Sequence, residues 1–253
     1  MKNNKKTLVI LLLVIILLVI AGYVGFNYKS FFAKHDKEQQ VAEKEFKVED
    51  KKITDETKPF SINVIYPYIN GHEDFNILVE NTVNKEISGF KEFSLDNDAA
   101  VKEIDPKSYE KYPRSYYLSI AYDKGQIDEN IISIVLNIES YTGGAHGAHY
   151  PISINYNVKD KKEVKLADLF KNQNDYLKKI SDYCINSLTK QVTERVGAEN
   201  KDFIDYNAIK TGASPDEKNF STFLIKNNTI VFYFPEYQVA AYAVGSFTVE
   251  MPK

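Results

Sequence analysis

Two stretches of this 253-residue chain hold the residue types from which a binding or catalytic site is built. The first is Ser140-Tyr141-Thr142-Gly143-Gly144-Ala145-His146-Gly147-Ala148-His149-Tyr150, where three glycines and two histidines interrupt a strand-like region. Glycines there permit positive φ and close backbone approach. One reading is a metal site, with His146 and His149 turned onto one ion. The other is a bend joining two strands, with His146 hydrogen-bonded to backbone. Three positions apart in a strand, the two imidazoles fall on opposite faces, and the helical HExxH pattern is absent, so the spacing favours the bend.

The second stretch is Phe232-Tyr233-Phe234-Pro235-Glu236-Tyr237-Gln238-Val239-Ala240-Ala241-Tyr242-Ala243-Val244-Gly245. Tyrosines beside a proline in an irregular connection make a rigid contact surface, each ring offering area and a polar tip at little entropic cost. The same rings would serve equally as core filling at a strand end. Other chemistry is thinner. The one thiol, Cys184, sits on an apolar helical stripe, which suits a packed and inert cysteine. No GxSxG elbow and no Walker or dinucleotide glycine pattern occurs, and the carboxylate pairs Glu73-Asp74 and Asp202-Asp205 read as solvated surface. No enzyme and no cofactor is expected.

The elements around these stretches follow from hydrophobic period. FSINVIYP, starting near Pro59, alternates as a half-buried strand. Asp74 is placed to cap a helix whose Val79, Val83, Ile87 and Phe90 share one face. After a polar stretch over residues 94–114, YYLSIAYD and IISIVLNIES form a hairpin, and YPISINYNV sets Tyr150, Ile152, Ile154, Tyr156 and Val158 on one side. Leu177, Ile180, Cys184, Leu188 and Val192 mark a second long helix. FSTFLIK, the turn Asn227-Asn228 and TIVFYF make another hairpin, and GSFTVEM a last strand. The expected class is α+β: antiparallel sheets with two long amphipathic helices packed on them.

Residues 7–26, TLVILLLVIILLVIAGYVGF, are uncharged and long enough to span roughly 30 Å as a helix. Lys2, Lys5 and Lys6 precede them, so the positive-inside rule leaves residues 1–6 in the cytoplasm and sends the rest outside. A cleaved signal peptide is the rival reading, but apolar character continuing through Tyr23, Val24 and Phe26 favours an anchor. Residues 27–58 are rich in Lys, Glu, Asp and Gln and read as a solvated stalk. Two α+β subdomains are expected beyond it, 59–140 and 141–253, the second holding the glycine-histidine motif. Beyond residue 26 the chain carries 29 basic against 35 acidic residues, a balance that argues against nucleic acid as a partner.

The combination of SYTGGAHG, LADLF at 166–170 and FPEYQVAAYAVG resembles the extracytoplasmic module of anti-sigma-V factors of the RsiV type. A similar module precedes the catalytic domain in peptidoglycan deacetylases of the PdaC type. The resemblance covers roughly residues 59–253. It implies an α+β fold, a cell-envelope setting and, from the anti-sigma factors, a surface that binds lysozyme. Carried onto this chain, the candidates for that surface are Ser140, Tyr141 and Thr142 of the first motif and Pro235, Tyr237 and Tyr242 of the second, and Gly143, Gly144 and His146 complete the expected binding residues. Ala241 departs from the pattern, which has a proline before the tyrosine in many relatives. With six residues ahead of the apolar segment and the chain stopping at Lys253, neither a sigma-binding nor a deacetylase domain is expected. The resulting expectation is a membrane-anchored extracytoplasmic binding protein whose ligand is lysozyme, another cell-wall hydrolase or peptidoglycan. The alternative is a metal-dependent envelope hydrolase using His146 and His149.

Overall fold

The computed structural model describes residues 46–253, apart from 113 and 172. The expected cytoplasmic tail, the anchor over 7–26 and the stalk up to residue 45 lie outside the described residues. Among those described, no helix is long and apolar enough to cross a membrane.

Among the described residues, nine strands form two sheets. The first has the order β1 (Val48–Asp55), β2 (Phe60–Ile69), β3 (Tyr116–Ile127), β4 (Ile131–Tyr141), β5 (Ala148–Asn157) and β6 (Lys162–Glu163). Neighbours are antiparallel except β2 and β3, which run parallel because helix α1 (Glu73–Ile104) and the short α2 (Pro106–Lys111) cross over between them. The sheet is therefore mixed, where an antiparallel one was expected. The second sheet, β7 (Phe223–Ile225), β8 (Thr229–Phe234) and β9 (Phe247–Pro252), is wholly antiparallel. Helix α3 (Tyr176–Val196) and the short α4 (Tyr206–Gly212) pack with it.

The apolar period decides which face each strand shows to which core. On β4, Ile132, Ile134, Leu136 and Ile138 join Phe75, Val79 and Val83 of α1 in one core, while Val135 points the other way onto Leu224 and Val231 of the second sheet. Burial on both faces explains why β4 reads as a nearly continuous apolar run. On β8, Ile230, Phe232 and Phe234 face the stripe Ile180, Cys184, Leu188 and Val192 of α3. The layers are thus helix, sheet, sheet, helix.

Polar groups fasten the two sheets together. Ser133 and Asn155 are cross-strand partners on β4 and β5, and both are buried. The Ser133 hydroxyl donates to Asn155 Oδ1 at 2.6 Å and accepts from Ile225 N at 2.8 Å, while Asn155 Nδ2 donates to Phe223 O at 2.9 Å. Asn155→Ala leaves the Phe223 carbonyl and the Ser133 hydroxyl proton without these partners in a buried interface. It is expected to cost about 2 kcal/mol, read as a lower urea midpoint at unchanged slope.

Cys184 has no exposed surface, and burial pushes its thiol up to about 12 from an ordinary value of 9.0. In the unfolded chain the thiol ionises first, so the unfolded state binds fewer protons and stability falls as pH rises between those two values. Comparing urea midpoints at about pH 8 and about pH 11, the wild type is expected to lose more than Cys184→Ala, which lacks this contribution.

Four expectations are corrected. Val48–Asp55 of the expected stalk pairs residue for residue with β2 as an edge strand. Asp74 lies in the first turn of α1; the cap position belongs to His72. The polar stretch after Ser94 continues α1 to Ile104 and then forms α2. The division at residue 140 cuts through one sheet, since β5 and β6 pair onto β4 and one another.

Candidate functional site

Strands β4 and β5 are in register up to Ser140 opposite Ala148, and the segment between Tyr141 and Ala148 is the turn that joins them. The C-terminal half of α1 and the start of β3 hold this turn in place. Asn97 Nδ2 donates to Thr142 O at 3.0 Å and Arg114 Nη1 to Gly143 O at 3.3 Å. Gly143 has φ 94°, and a Cβ there would press on the Tyr116 ring at 3.0 Å and the Arg114 guanidinium at 3.2 Å. Both conditions select glycine. Behind it, the two carboxylate oxygens of Asp98 accept the hydroxyls of Tyr109 and Tyr116. Burial and then this hydrogen bond push the Tyr116 phenol well above its usual range, so it stays a donor.

The second stretch follows β8. Gln238 Nε2 donates to Gly212 O at 2.8 Å and Asn219 O at 2.9 Å, and Val239 is buried in the α3 core. Farther along, Arg195 of α3 donates to Val244 O and Ser246 O at 2.7 and 2.8 Å and lies 4.0 Å over the Phe247 ring. Between these two fastenings Tyr237 stands out, 65% exposed and in the left-handed region at φ 69°. Ala241 has φ −62° and ψ 152°, dihedrals that a proline also takes, so its departure from the related pattern leaves the backbone path unchanged.

The two stretches meet. His146 stacks on Tyr242 with ring centroids 4.0 Å apart and 28° between planes, and Tyr237 lies 5.6 Å from Tyr242 and 6.4 Å from His146. His146 Nδ1 is 2.7 Å from Gly147 O, which can only accept, so Nδ1 carries the proton. In neutral imidazole Nε2 is then the acceptor, and the Tyr237 hydroxyl 3.3 Å away donates to it. The Tyr242 hydroxyl donates to Gly147 O at 3.3 Å. The result is an outward-facing patch of three rings whose polar tips are held in a chain of hydrogen bonds. It offers stacking area and oriented polar groups, which suits recognition.

Of the expected site residues, His146, Tyr237 and Tyr242 come together, and Gly143 shapes the turn beneath them. Tyr141 stacks on Tyr117, 6.3 Å between centroids. Strand pleat sends Ser140 and Thr142 to the α1 side of the sheet instead. Gly144 is exposed in the turn, and Pro235 lines a small cavity with His149, Tyr233 and Phe247. His146 and His149 therefore serve different surroundings, and among the described residues no three His, Cys, Asp or Glu side chains converge as a metal site would need. The sequence reading missed Tyr117, Arg114, Asp98, Arg195 and Gln238. All five lie outside the glycine-histidine motif, and four lie outside both stretches, so only contact could reveal them.

Fold and patch together define a layered α+β module with an exposed aromatic patch built by two distant chain segments. The family model described as Deacetylase PdaC matches residues 53–149, and that described as Protein of unknown function (DUF3298) matches residues 167–253. The glycine-histidine motif lies within the first of the two matched segments. A curated relative is the Peptidoglycan-N-acetylmuramic acid deacetylase PdaC of Bacillus subtilis (strain 168), 30% identical over 202 residues, 79% of this chain and 39% of the relative. The chain spans about two fifths of that protein's length. The crystal structure of a DUF3298 family protein from Pseudomonas aeruginosa PAO1 superposes with a TM-score of 0.53 at 13% identity, covering 83% of this chain and 92% of that one. A DUF3298 family member from Bacteroides fragilis gives 0.50 at 22% identity, covering 82% and 90%. Both share the fold.

Proposed function

We propose that this chain is an extracytoplasmic binding module of the bacterial cell envelope, held at the membrane through residues 7–26. Its ligand is lysozyme, another cell-wall hydrolase or peptidoglycan, engaged through His146, Tyr237 and Tyr242. The observation that carries this reading is Tyr237, an exposed ring held at φ 69° beside a histidine 91 residues away in sequence. A bulky residue in that region costs about 1–2 kcal/mol, and such strain at an exposed aromatic is characteristic of ligand contact. The relative named for a peptidoglycan deacetylase supports the envelope setting. The acidic balance beyond residue 26 suits a basic hydrolase, whose encounter it would speed at low salt.

Calorimetry of the full chain in detergent with hen lysozyme tests the protein arm. Saturable 1:1 binding that weakens with added salt supports it. Muropeptides tested in the same way address the peptidoglycan arm. Absence of heat with lysozyme, with a second basic hydrolase and with muropeptides would overturn the reading.

A further inference from the structure

The turn between β5 and β6 faces the start of α1, and a cavity of about 390 Å³ lies between them, at the end of the first sheet opposite the glycine-histidine motif. Gly71, Glu73 and Asp74 line it from the α1 side, and Tyr156, Val158 and Lys161 from the sheet side. Tyr156 is 5% exposed and its ring packs on Phe75 with centroids 5.8 Å apart, yet its hydroxyl has no hydrogen-bond partner among the described residues. From these groups we infer that the cavity is a binding site for a free α-amino acid in its zwitterionic form.

Two opposed sets of groups select that class. On the donor side, the N–H groups of Glu73, Asp74 and Phe75 open α1 with no acceptor among the described residues. No side chain caps the helix, and its first backbone bond runs from Asn76 N to His72 O. A helix start in this state attracts a carboxylate. The Tyr156 hydroxyl adds a buried donor, which costs stability until an acceptor reaches it. Burial and then the Asp74 carboxylate push that phenol above its ordinary value of 10.0, so it stays protonated. On the acceptor side, Glu73 and Asp74 bring two negative charges, and Lys161 offsets one of them across 2.8 Å. That surplus repels a simple anion, while Lys161 and the helix start repel a simple cation. A zwitterion satisfies both sets. Its ammonium and carboxylate lie about 3 Å apart, close to the spacing of the Lys161–Asp74 pair, so the two pairs of charges align head to tail. Val158, half-buried on the sheet side, gives the ligand's side chain an apolar contact.

The site shares no residue with the three-ring patch, and its ligand is neither a protein surface nor a glycan. Two of its groups can be removed without loss of the fold. Tyr156→Phe deletes a hydroxyl that bonds nothing in the protein. Lys161→Gly takes the ammonium from a residue held in the left-handed region at φ 51°, a conformation that glycine adopts without strain.

The experiment is calorimetric titration of the full chain in detergent with glycine, L-alanine and L-leucine. The amide of each, which lacks the carboxylate, and its deaminated acid, which lacks the ammonium, are titrated in parallel. Saturable binding of at least one amino acid is expected with a dissociation constant of about 1 mM or tighter, and at least about tenfold weaker binding of its two single-charge analogues. Tyr156→Phe and Lys161→Gly are each expected to weaken the amino acid at least about tenfold, with melting temperatures no lower than that of the wild type. Tyr237→Ala is expected to bind amino acids as the wild type does, which keeps this result independent of the proposed envelope ligand. No saturation by any of the three up to about 10 mM, or unchanged binding in both cavity variants, overturns the proposal. A deaminated acid that binds as tightly as its amino acid would make this a plain anion site and overturn it too. A lower melting temperature for Tyr156→Phe would show that the hydroxyl is already bonded within the protein, with the same consequence.

Discussion

Tyr237→Gly is expected to make the protein more stable and to bind its envelope ligand at least about 100-fold more weakly. The two effects have separate causes. At φ 69° a tyrosine pays a steric cost that glycine does not, about 1 kcal/mol, and the exposed ring returns little packing to offset it. Removing the ring also removes the donor to His146 Nε2 and one wall of the three-ring patch. Exposed aromatic anchors of this kind are where binding energy concentrates, with truncations costing about 2–4 kcal/mol. Tyr242→Ala should lose as much affinity, since its ring lies against both others, but without the gain in stability, because Tyr242 is not held at positive φ. Thermal melts and calorimetric titrations of the two variants are the check. A less stable Tyr237→Gly would show that the ring is structural, and unchanged affinity in both variants would remove the patch from recognition.

Gly125→Val is expected to cost at least about 3 kcal/mol and to leave a form whose two sheets no longer dock. A Cβ at position 125 would lie 2.3 Å from Ile225 O and 2.9 Å from the Leu224 side chain. The contact atom is backbone of β7, whose Ile225 N–H is fastened by donating to the Ser133 hydroxyl, so it cannot swing aside as a side-chain end would. Gly125 is not among the residues with positive φ, so the cost is steric and grows with side-chain size. Urea unfolding should show Gly125→Ala intermediate between wild type and Gly125→Val. Equal midpoints for all three would mean that the sheets separate freely, contrary to the close packing seen.

Several elements were legible because their burial pattern is local. The stripe Ile180, Cys184, Leu188 and Val192 identifies α3, and all four are buried. The hairpin β3–β4 and the face Tyr150, Ile152, Ile154, Tyr156 and Val158 follow from a period of two, and those residues join one core. Strand β1 was missed for a physical reason. VEDKKITD is charged because an edge strand bonds a neighbour on one side only and exposes the other, a composition that also reads as stalk. The last part of α1 was missed because beyond Ser94 no further residue of the helix is buried. It persists as helix while Asn97 and Asp98 grip the motif turn and β3.

By itself the sequence determined which segments are helix or strand, which faces are apolar, and that two stretches rich in Gly, His and Tyr stand apart from that pattern. Those properties depend on neighbours within a few residues, where the 3.6 and 2.0 periods operate. The tertiary structure decided that the two stretches share a surface, that Ser140 and Thr142 face away from it, and that Tyr237 is held out under strain. These depend on how one sheet docks on the other, through the Ser133–Asn155 fastening and the close approach at Gly125. Contacts between residues some 90 positions apart arise only once that docking fixes the distance between them, and no local period encodes it.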